Sequence, residues 1–195
     1  MISEGDAVTD RNGNVELYCQ VSGSEKKKKA SFRCFPALAG APEGFIQKSE
    51  GKAAESFATG DAFALYEAEA DITCDLDCNL KKVSETEYDI SVPGSAKGAD
   101  ELFLVVDYEA EAAKLLDGDD AMTDSFYTGQ EWEIGLKRYY DRRGESEGSF
   151  DIKCVLEPLK EGEKLYLQEW PVLEDGRACR INNIQLVAQY RIKIS

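Results

Sequence analysis

The sequence contains no histidine among its 195 residues. This excludes a serine or cysteine hydrolase that uses histidine as its general base. It also lacks a glycine-rich phosphate loop of the P-loop or dinucleotide-binding type, so we expect no nucleotide cofactor. The longest apolar run is about five residues, whereas a transmembrane helix needs about 20. With a polar N-terminus, MISEGDAVTD, the sequence predicts neither a membrane span nor a signal peptide.

Positive charge is scarce. The chain has 23 Lys and Arg residues against 38 Asp and Glu residues, for a formal net charge of −15. Nucleic-acid binding needs a clustered positive field, and the only basic run is Lys26–Lys29. We therefore expect no nucleic-acid partner and interpret the lysine run as a solvated hairpin tip that discourages aggregation.

The cysteines lie at apolar positions of alternating segments. In the segment from Ile72 to Leu80, Cys74 and Cys78 are in phase with the apolar residues, so they are predicted to be about 13 Å apart along an extended strand. That separation disfavours a shared zinc ion or a disulfide, and free cysteine packs as a small hydrophobe. The same reading applies to the other four, which are Cys19, Cys34, Cys154 and Cys179. No metal site is predicted, and reduced cysteines suggest a cytoplasmic location.

Apolar residues alternate along most of the chain, which is the pattern of strands with one dry face. In the densest apolar stretch, Glu101–Tyr140, the first strand has apolar residues on both faces, which predicts an interior strand. Alternation continues from Ile184 to Ile194. No helix is predicted, because the best local candidate, Ala110–Leu116, is too short. About nine strands separated by turns predict an all-β antiparallel sandwich.

The N-terminal part has a different composition. Val15–Val21 and Ala30–Phe35 are predicted to form a β-hairpin, and residues 39–60 are rich in Ala, Gly, Ser and Glu. We predict residues 1–60 to be a hairpin segment and linker, or part of a preceding β domain. Residues 61–195 are predicted to be the sandwich.

One segment resembles a known family. Asp107-Tyr108 is followed by the turn Asp117-Gly118 and by D-S-F-Y-T-G-Q-E-W-E-I-G-L-K, from Asp124 to Lys137. This resembles the C-terminal β-sandwich region of family 35 glycoside hydrolases, the β-galactosidases, over about residues 60–195. Thr128 stands where that family would have Asn.

The resemblance implies a jelly-roll, galactose-binding-domain-like sandwich. Family 35 enzymes hydrolyse terminal β-galactosides with two glutamates on a (β/α)₈ barrel, which needs roughly 250 residues. The Asn-Glu dipeptide that marks the acid and base residue of the family is absent from this sequence. The resemblance therefore implies a non-catalytic accessory region, which packs on a catalytic barrel or a neighbouring subunit.

Two other functions stay open, namely a free-standing carbohydrate-binding module for β-galactoside glycans and a structural or oligomerisation domain. The aromatic candidates for sugar stacking are Trp132, Trp170, Tyr127 and Tyr139. Core packing competes with this role, because aromatic rings carry large apolar area. Trp132 is in phase with Ile134 and Leu136, which favours packing. Trp170 precedes Pro171 beside a loop and is the better candidate for a sugar or an interface.

Two sets of acidic residues are candidates for a functional role. Asp117, Asp119 and Asp120 are suited to calcium, but a plain turn is the favoured interpretation. Glu131 and Glu133 are two apart, which in a strand places both carboxylates on one solvent-exposed face rather than in a catalytic pair.

Overall fold

The computed structural model describes residues 2–3, 6–9, 11–12, 14–22, 27–49, 63–71, 76–93, 99–143, 149–163, 167 and 170–193. These form sixteen strands and one short helix. All strand pairs are antiparallel. Within these ranges no helix is long and apolar enough to cross a membrane.

The central sheet has five strands in the order β12-β9-β16-β3-β2. Their bounds are β2 (Asp6–Thr9), β3 (Val15–Ser22), β9 (Glu101–Glu109), β12 (Trp132–Gly135) and β16 (Arg180–Lys193). β9 lies between β12 and β16, which confirms the predicted interior strand. The predicted C-terminal strand is confirmed as far as Lys193, while Ile194 lies outside the described residues.

A second five-stranded sheet, the facing sheet, has the order β11-β10-β13-β8-β7. Its strands are β7 (Asn79–Lys82), β8 (Glu87–Val92), β10 (Ala112–Asp117), β11 (Asp120–Phe126) and β13 (Phe150–Glu157). The small sheet, in the order β1-β4-β6-β5, contains β1 (Ile2–Ser3), β4 (Lys27–Cys34), β5 (Ile46–Ser49) and β6 (Ala64–Asp71). The remaining strands, β14 (Leu159–Lys160) and β15 (Arg177–Ala178), form a two-stranded sheet.

The main core lies between the central and facing sheets. Alternate residues of β9, such as Leu104 and Val106, share one buried cluster with Ile90 of β8, Leu115 of β10 and Ile152 of β13. All five of these side chains are completely buried. The predicted all-β sandwich is therefore confirmed, while the jelly-roll connectivity stays a prediction.

A second core joins the small sheet to the central sheet. Leu17 of β3 packs with Phe32 of β4 and Tyr66 of β6, and Ile192 of β16 lies against this cluster. The rings of Phe32 and Tyr66 stack with centroids 4.9 Å apart. Since Val21 and Leu186 belong to the main core, β3 and β16 each contribute side chains to both cores.

The predicted N-terminal hairpin is wrong. β3 pairs with β16 and β2, whereas β4 pairs with β6 and β1. Lys27–Lys29 belong to β4 rather than to a turn. Alternation predicts that a segment is a strand but not which strand it pairs with. Here β3 and β4 lie in different sheets, and Leu17 of β3 packs against Phe32 of β4 in the second core. The boundary proposed near residue 60 lies outside the described residues, and the two-part division stays a prediction.

Two further expectations need correction. In the segment from Ile72 to Leu80, residues 72–75 lie outside the described ranges, and the strand begins only at Asn79. A helix was not expected, yet α1 covers Lys137–Arg143. Seven residues are too few for an isolated helix, so its stability depends on packing. Tyr139 is accordingly only 7% exposed. The prediction that Ala110–Leu116 is not a helix is confirmed, since β10 covers Ala112–Asp117.

Five cysteines are described, and all are free thiols. Cys19, Cys34 and Cys154 are buried, whereas Cys78 and Cys179 are partly exposed. Cys74 lies outside the described residues. The interpretation as small apolar residues is confirmed for the three buried ones, and Cys78 and Cys179 also pack against the main core. The cytoplasmic location stays a prediction.

Burial of Cys154 predicts a specific alkaline instability. Burial, with a smaller contribution from nearby Cys179, raises the pKa of the Cys154 thiol from 9.0 to about 12. Between pH 9 and pH 12 the unfolded thiol ionises while the folded one does not, so stability is lost as pH rises, by at most about 1.4 kcal/mol per pH unit. Urea unfolding at pH 8 and pH 10.5 is expected to show a loss about 2 kcal/mol larger in the wild type than in Cys154→Ala. Equal losses in both proteins would contradict this assignment.

Candidate functional site

The two main sheets are open along one common edge. β11 is the edge strand of the facing sheet and β12 that of the central sheet, and residues 127–131 connect them. Helix α1 follows β12 and reaches back across this edge, since the Tyr139 hydroxyl donates to the Met122 carbonyl of β11 at 3.0 Å. The Tyr140 hydroxyl donates to the Pro93 carbonyl. The edge is therefore bounded by two strand edges and a helix anchored to one of them.

A depression of about 320 Å³ lies at this edge, and we call it the edge pocket. It is lined by Glu101, Thr123, Trp132, Glu133, Ile134, Gly135 and Arg138. Its size is at the lower end of the range for small-molecule sites, which is roughly 300–1,000 Å³.

Trp132 lines the pocket and also packs against the main core. It pairs with Val106 in the central sheet, and its indole meets the ring of Tyr108 edge-on with centroids 6.1 Å apart. Tyr108 is only 1% exposed, so the indole is held against an immobile neighbour. Trp132 is only partly buried, and its side chain lies on the core side of β12, whereas that of Glu133 lies on the opposite face.

Glu101 links the pocket to the start of α1. Its Oε1 accepts hydrogen bonds from the backbone N–H groups of Leu102 and Lys137, both at 2.9 Å. The carboxylate lies over Gly135, where an added Cβ would be 3.4 Å from Cδ and Oε2 of Glu101. The carboxylate binds an otherwise unpaired N–H of the first helical turn.

Arg138 supplies the positive charge. Its guanidinium lies 4.6 Å from the centroid of the Tyr139 ring, and it donates to the Tyr139 hydroxyl at 2.5 Å. Glu133 is exposed and Thr123 is partly buried. The edge pocket thus combines carboxylate acceptors, a guanidinium donor, a hydroxyl and an indole.

The structure separates the four predicted aromatic candidates. Trp132 lines the pocket, and Tyr127 packs beside it on Tyr108, with centroids 5.7 Å apart. Tyr139 is buried and supports Arg138 instead of offering a surface. Trp170 is 43% exposed but does not line the pocket. Sugar binding by these residues stays a prediction.

Sequence reasoning missed Glu101, Thr123, Gly135 and Arg138 as pocket residues. They come from β9, β11, β12 and α1, which only the folded sandwich brings together. The missed helix also concealed Arg138. The sequence pattern did point to one pocket residue besides Trp132, since Glu133 was expected on a solvent-exposed strand face and is exposed.

A second depression of about 300 Å³ lies near the two-stranded sheet of β14 and β15. Two of its cations are already ion-paired, Arg177 with Glu85 at 2.9 Å and Arg180 with Glu174 at 3.1 Å. Burial raises the pKa of the Cys179 thiol in its wall, which makes it a poor nucleophile at neutral pH. This depression is a less suitable ligand site than the edge pocket.

Asp117, Asp119 and Asp120 lie at the turn between β10 and β11, where Gly118 has φ of 62°. A positive φ at this point is what a tight turn needs from glycine. In the described part of the chain, no three His, Cys, Asp or Glu residues are grouped so as to hold a metal ion.

The chain matches no protein-family model, no curated protein and no solved structure. The likeness of Asp124–Lys137 to family 35 enzymes therefore stays a prediction. In the structure, Asp124–Lys137 contains the end of β11, the connection formed by residues 127–131, β12 and the first residue of α1.

The hydrogen bonds of Glu101 predict a measurable stabilisation. Glu101→Ala removes the acceptor of the Lys137 N–H and is expected to lower the free energy of unfolding by about 1–2 kcal/mol. Glu133→Ala is the matched control, because Glu133 is exposed, and it should change stability by less than about 0.5 kcal/mol. Urea unfolding measures both. Equal effects of the two substitutions would show that Glu101 does not hold the helix start.

Proposed function

We propose that this chain is a non-catalytic accessory β-sandwich module that binds carbohydrate at the edge pocket. The observation that carries the proposal is the composition of the pocket. Its lining residues include the aromatic residue Trp132, the acidic residues Glu101 and Glu133, and the basic residue Arg138.

These groups match the chemistry of a sugar. A pyranose ring has an apolar face of C–H groups and a rim of hydroxyls. The apolar face packs on an aromatic ring, while carboxylates accept from hydroxyls and guanidinium or hydroxyl groups donate to them. The proposed ligand is a neutral saccharide, with β-galactosides as the first candidates because of the resemblance to β-galactosidases.

The family resemblance and the pocket support each other. Trp132, Glu133, Ile134 and Gly135 are four of the seven pocket residues, and all lie within the segment Asp124–Lys137. The accessory role follows from the resemblance: such a module would assist a catalytic barrel elsewhere in a parent protein or in a neighbouring subunit. The proposal includes no hydrolytic activity for this chain.

Calorimetric titration tests the binding proposal. Methyl β-galactoside, lactose and methyl β-glucoside are titrated into the 195-residue chain. We expect a dissociation constant on the order of 1 mM for a galactoside, since the site is small and open. Arg138→Ala is expected to weaken binding about tenfold, because a hydrogen bond from a charged donor contributes about 1.5–3 kcal/mol. The substitution falls on an exposed residue, so folding should be retained.

Trp170→Ala is the control for this titration. Trp170 is the other tryptophan and lies outside the pocket lining, so its replacement should leave the affinity unchanged. Loss of binding in Trp170→Ala but not in Arg138→Ala would move the site to Trp170. No heat from any of the three sugars at 20-fold their expected dissociation constant, about 20 mM, would reject the proposal.

A further inference from the structure

The edge pocket extends across the free edge of β12. Trp132 and Ile134 pack against the main core, so their side chains lie on the core side of the strand. The side chain of Glu133 lies on the opposite face, and so does the Glu101 carboxylate, which lies over Gly135. All of these residues line one pocket. The part of the pocket that joins its two sides is therefore the backbone of β12.

The strand register shows which backbone groups point into the pocket. The Leu136 N–H donates to the Leu102 carbonyl of β9 at 2.7 Å. In an antiparallel pair, residues that hydrogen-bond to the neighbouring strand alternate with residues whose N–H and C=O groups point the other way. Ile134, two positions before Leu136, therefore bonds to β9. The N–H and C=O groups of Glu133 and Gly135 point away from β9, toward the open edge.

These backbone groups have no partner strand. β12 is the last strand of the central sheet in the part of the chain that the structure describes. Gly135 has no side chain to shield its N–H and C=O, and glycine in a strand allows a ligand to approach the backbone closely. A ligand that covers such groups must hydrogen-bond to them, because a buried backbone group without a partner costs free energy.

This requirement restricts the chemistry of the ligand. Each exposed residue of the β12 edge offers one donor and one acceptor side by side, so a matching ligand has to accept and donate at neighbouring positions. A carboxylate or phosphate only accepts, and an ammonium group only donates. Hydroxyl groups do both, and a sugar ring carries them on adjacent carbons.

We propose that the free backbone edge of β12 binds two neighbouring hydroxyls of the sugar, through the N–H and C=O of Gly135. The corresponding groups of Glu133 continue the same edge. This inference rests on the proposed function and adds the ligand class that the site selects, namely neutral sugars with two adjacent unsubstituted hydroxyls. Selection by backbone groups depends on the hydroxyls themselves, so removing one hydroxyl weakens binding without any change of charge.

A pair of substitutions at one position tests the role of the Gly135 N–H. Gly135→Pro removes this N–H but no hydrogen bond to β9, because proline is tolerated where the N–H of an edge strand points to solvent. Gly135→Ala is the matched control, since it keeps the N–H and its Cβ lies 3.4 Å from the Glu101 carboxylate, an ordinary contact. In titrations with methyl β-galactoside, Gly135→Pro is expected to bind about three- to tenfold more weakly than Gly135→Ala, as for one lost hydrogen bond. Unfolding midpoints of both variants report their folding.

Sugar analogues identify the hydroxyl that is bound. Methyl β-galactosides that each lack one ring hydroxyl are titrated into both variants. The analogue without the hydroxyl that contacts the Gly135 N–H is expected to bind Gly135→Ala about three- to tenfold more weakly than the parent sugar. The same analogue and the parent sugar should bind Gly135→Pro equally, because the hydrogen bond is already lost.

Amide signals of the wild-type chain give a test that needs no substitution. In the ¹⁵N-labelled protein without sugar, the amides of Glu133 and Gly135 should exchange with solvent rapidly and that of Ile134 slowly. Methyl β-galactoside should shift the Glu133 and Gly135 amide signals along a saturating curve. The Ile134 amide lies between them but bonds to β9, so its signal should shift less.

The outcomes separate this inference from the proposed function. Equal affinities of Gly135→Pro and Gly135→Ala, both folded, would overturn the backbone role and leave the sugar site intact. Slow exchange of the Gly135 amide in the sugar-free chain would also overturn it, since that N–H would already be bonded. If Gly135→Pro does not fold, the wild-type amide shifts decide, and a shift at Ile134 as large as at Gly135 contradicts the inference. A wild-type chain that binds no sugar rejects the proposed function and this inference together.

Discussion

The structure depends on the burial of one face of β9 and β16 against the facing sheet. Leu104 and Leu186 are paired across these two strands, and both are completely buried. Each apolar Å² removed from water contributes about 25 cal/mol, so this layer is the main source of stability. Among the described residues no polar or charged residue is buried, which agrees with a dry interface between the sheets.

The geometry of this layer determines where a ligand can bind. A sandwich has a filled interior, two outer faces and open edges. At the edge formed by β11 and β12, strands from both sheets end beside each other, and α1 closes part of the gap through Tyr139. Side chains from four elements meet there in the edge pocket. The proposed sugar site is therefore a consequence of how two sheets are joined at their edge, not of a loop insertion.

Period-two alternation predicted the class of fold and most strands, because burial on one face imposes that period on any sequence. It placed Leu104 and Ile184 correctly. It did not predict strand pairing: β3 and β4 are consecutive in sequence but belong to different sheets, and they meet through Leu17 and Phe32 in the second core. Long-range partners are decided by which faces fit together, and the local alternation of apolar residues does not show this.

The helix and the pocket were missed for related reasons. α1 is too short for its local propensity to identify it and is fixed by contacts of Tyr139 and Tyr140 with residues 17 and 47 positions away in sequence. Glu101 and Gly135 look ordinary in the sequence, and their relation appears only in the sheet, where the carboxylate lies over the glycine. The sequence gave two local signals: the aromatic candidates, of which Trp132 lines the pocket, and Glu133, which was expected to be exposed. The most direct measurement is tryptophan fluorescence of Trp170→Phe, in which Trp132 is the sole remaining indole of the two. Titration with methyl β-galactoside should shift the emission of Trp132 along a saturating curve with a midpoint on the order of 1 mM. An emission spectrum that does not change up to about 20 mM sugar would contradict a sugar site at the edge pocket.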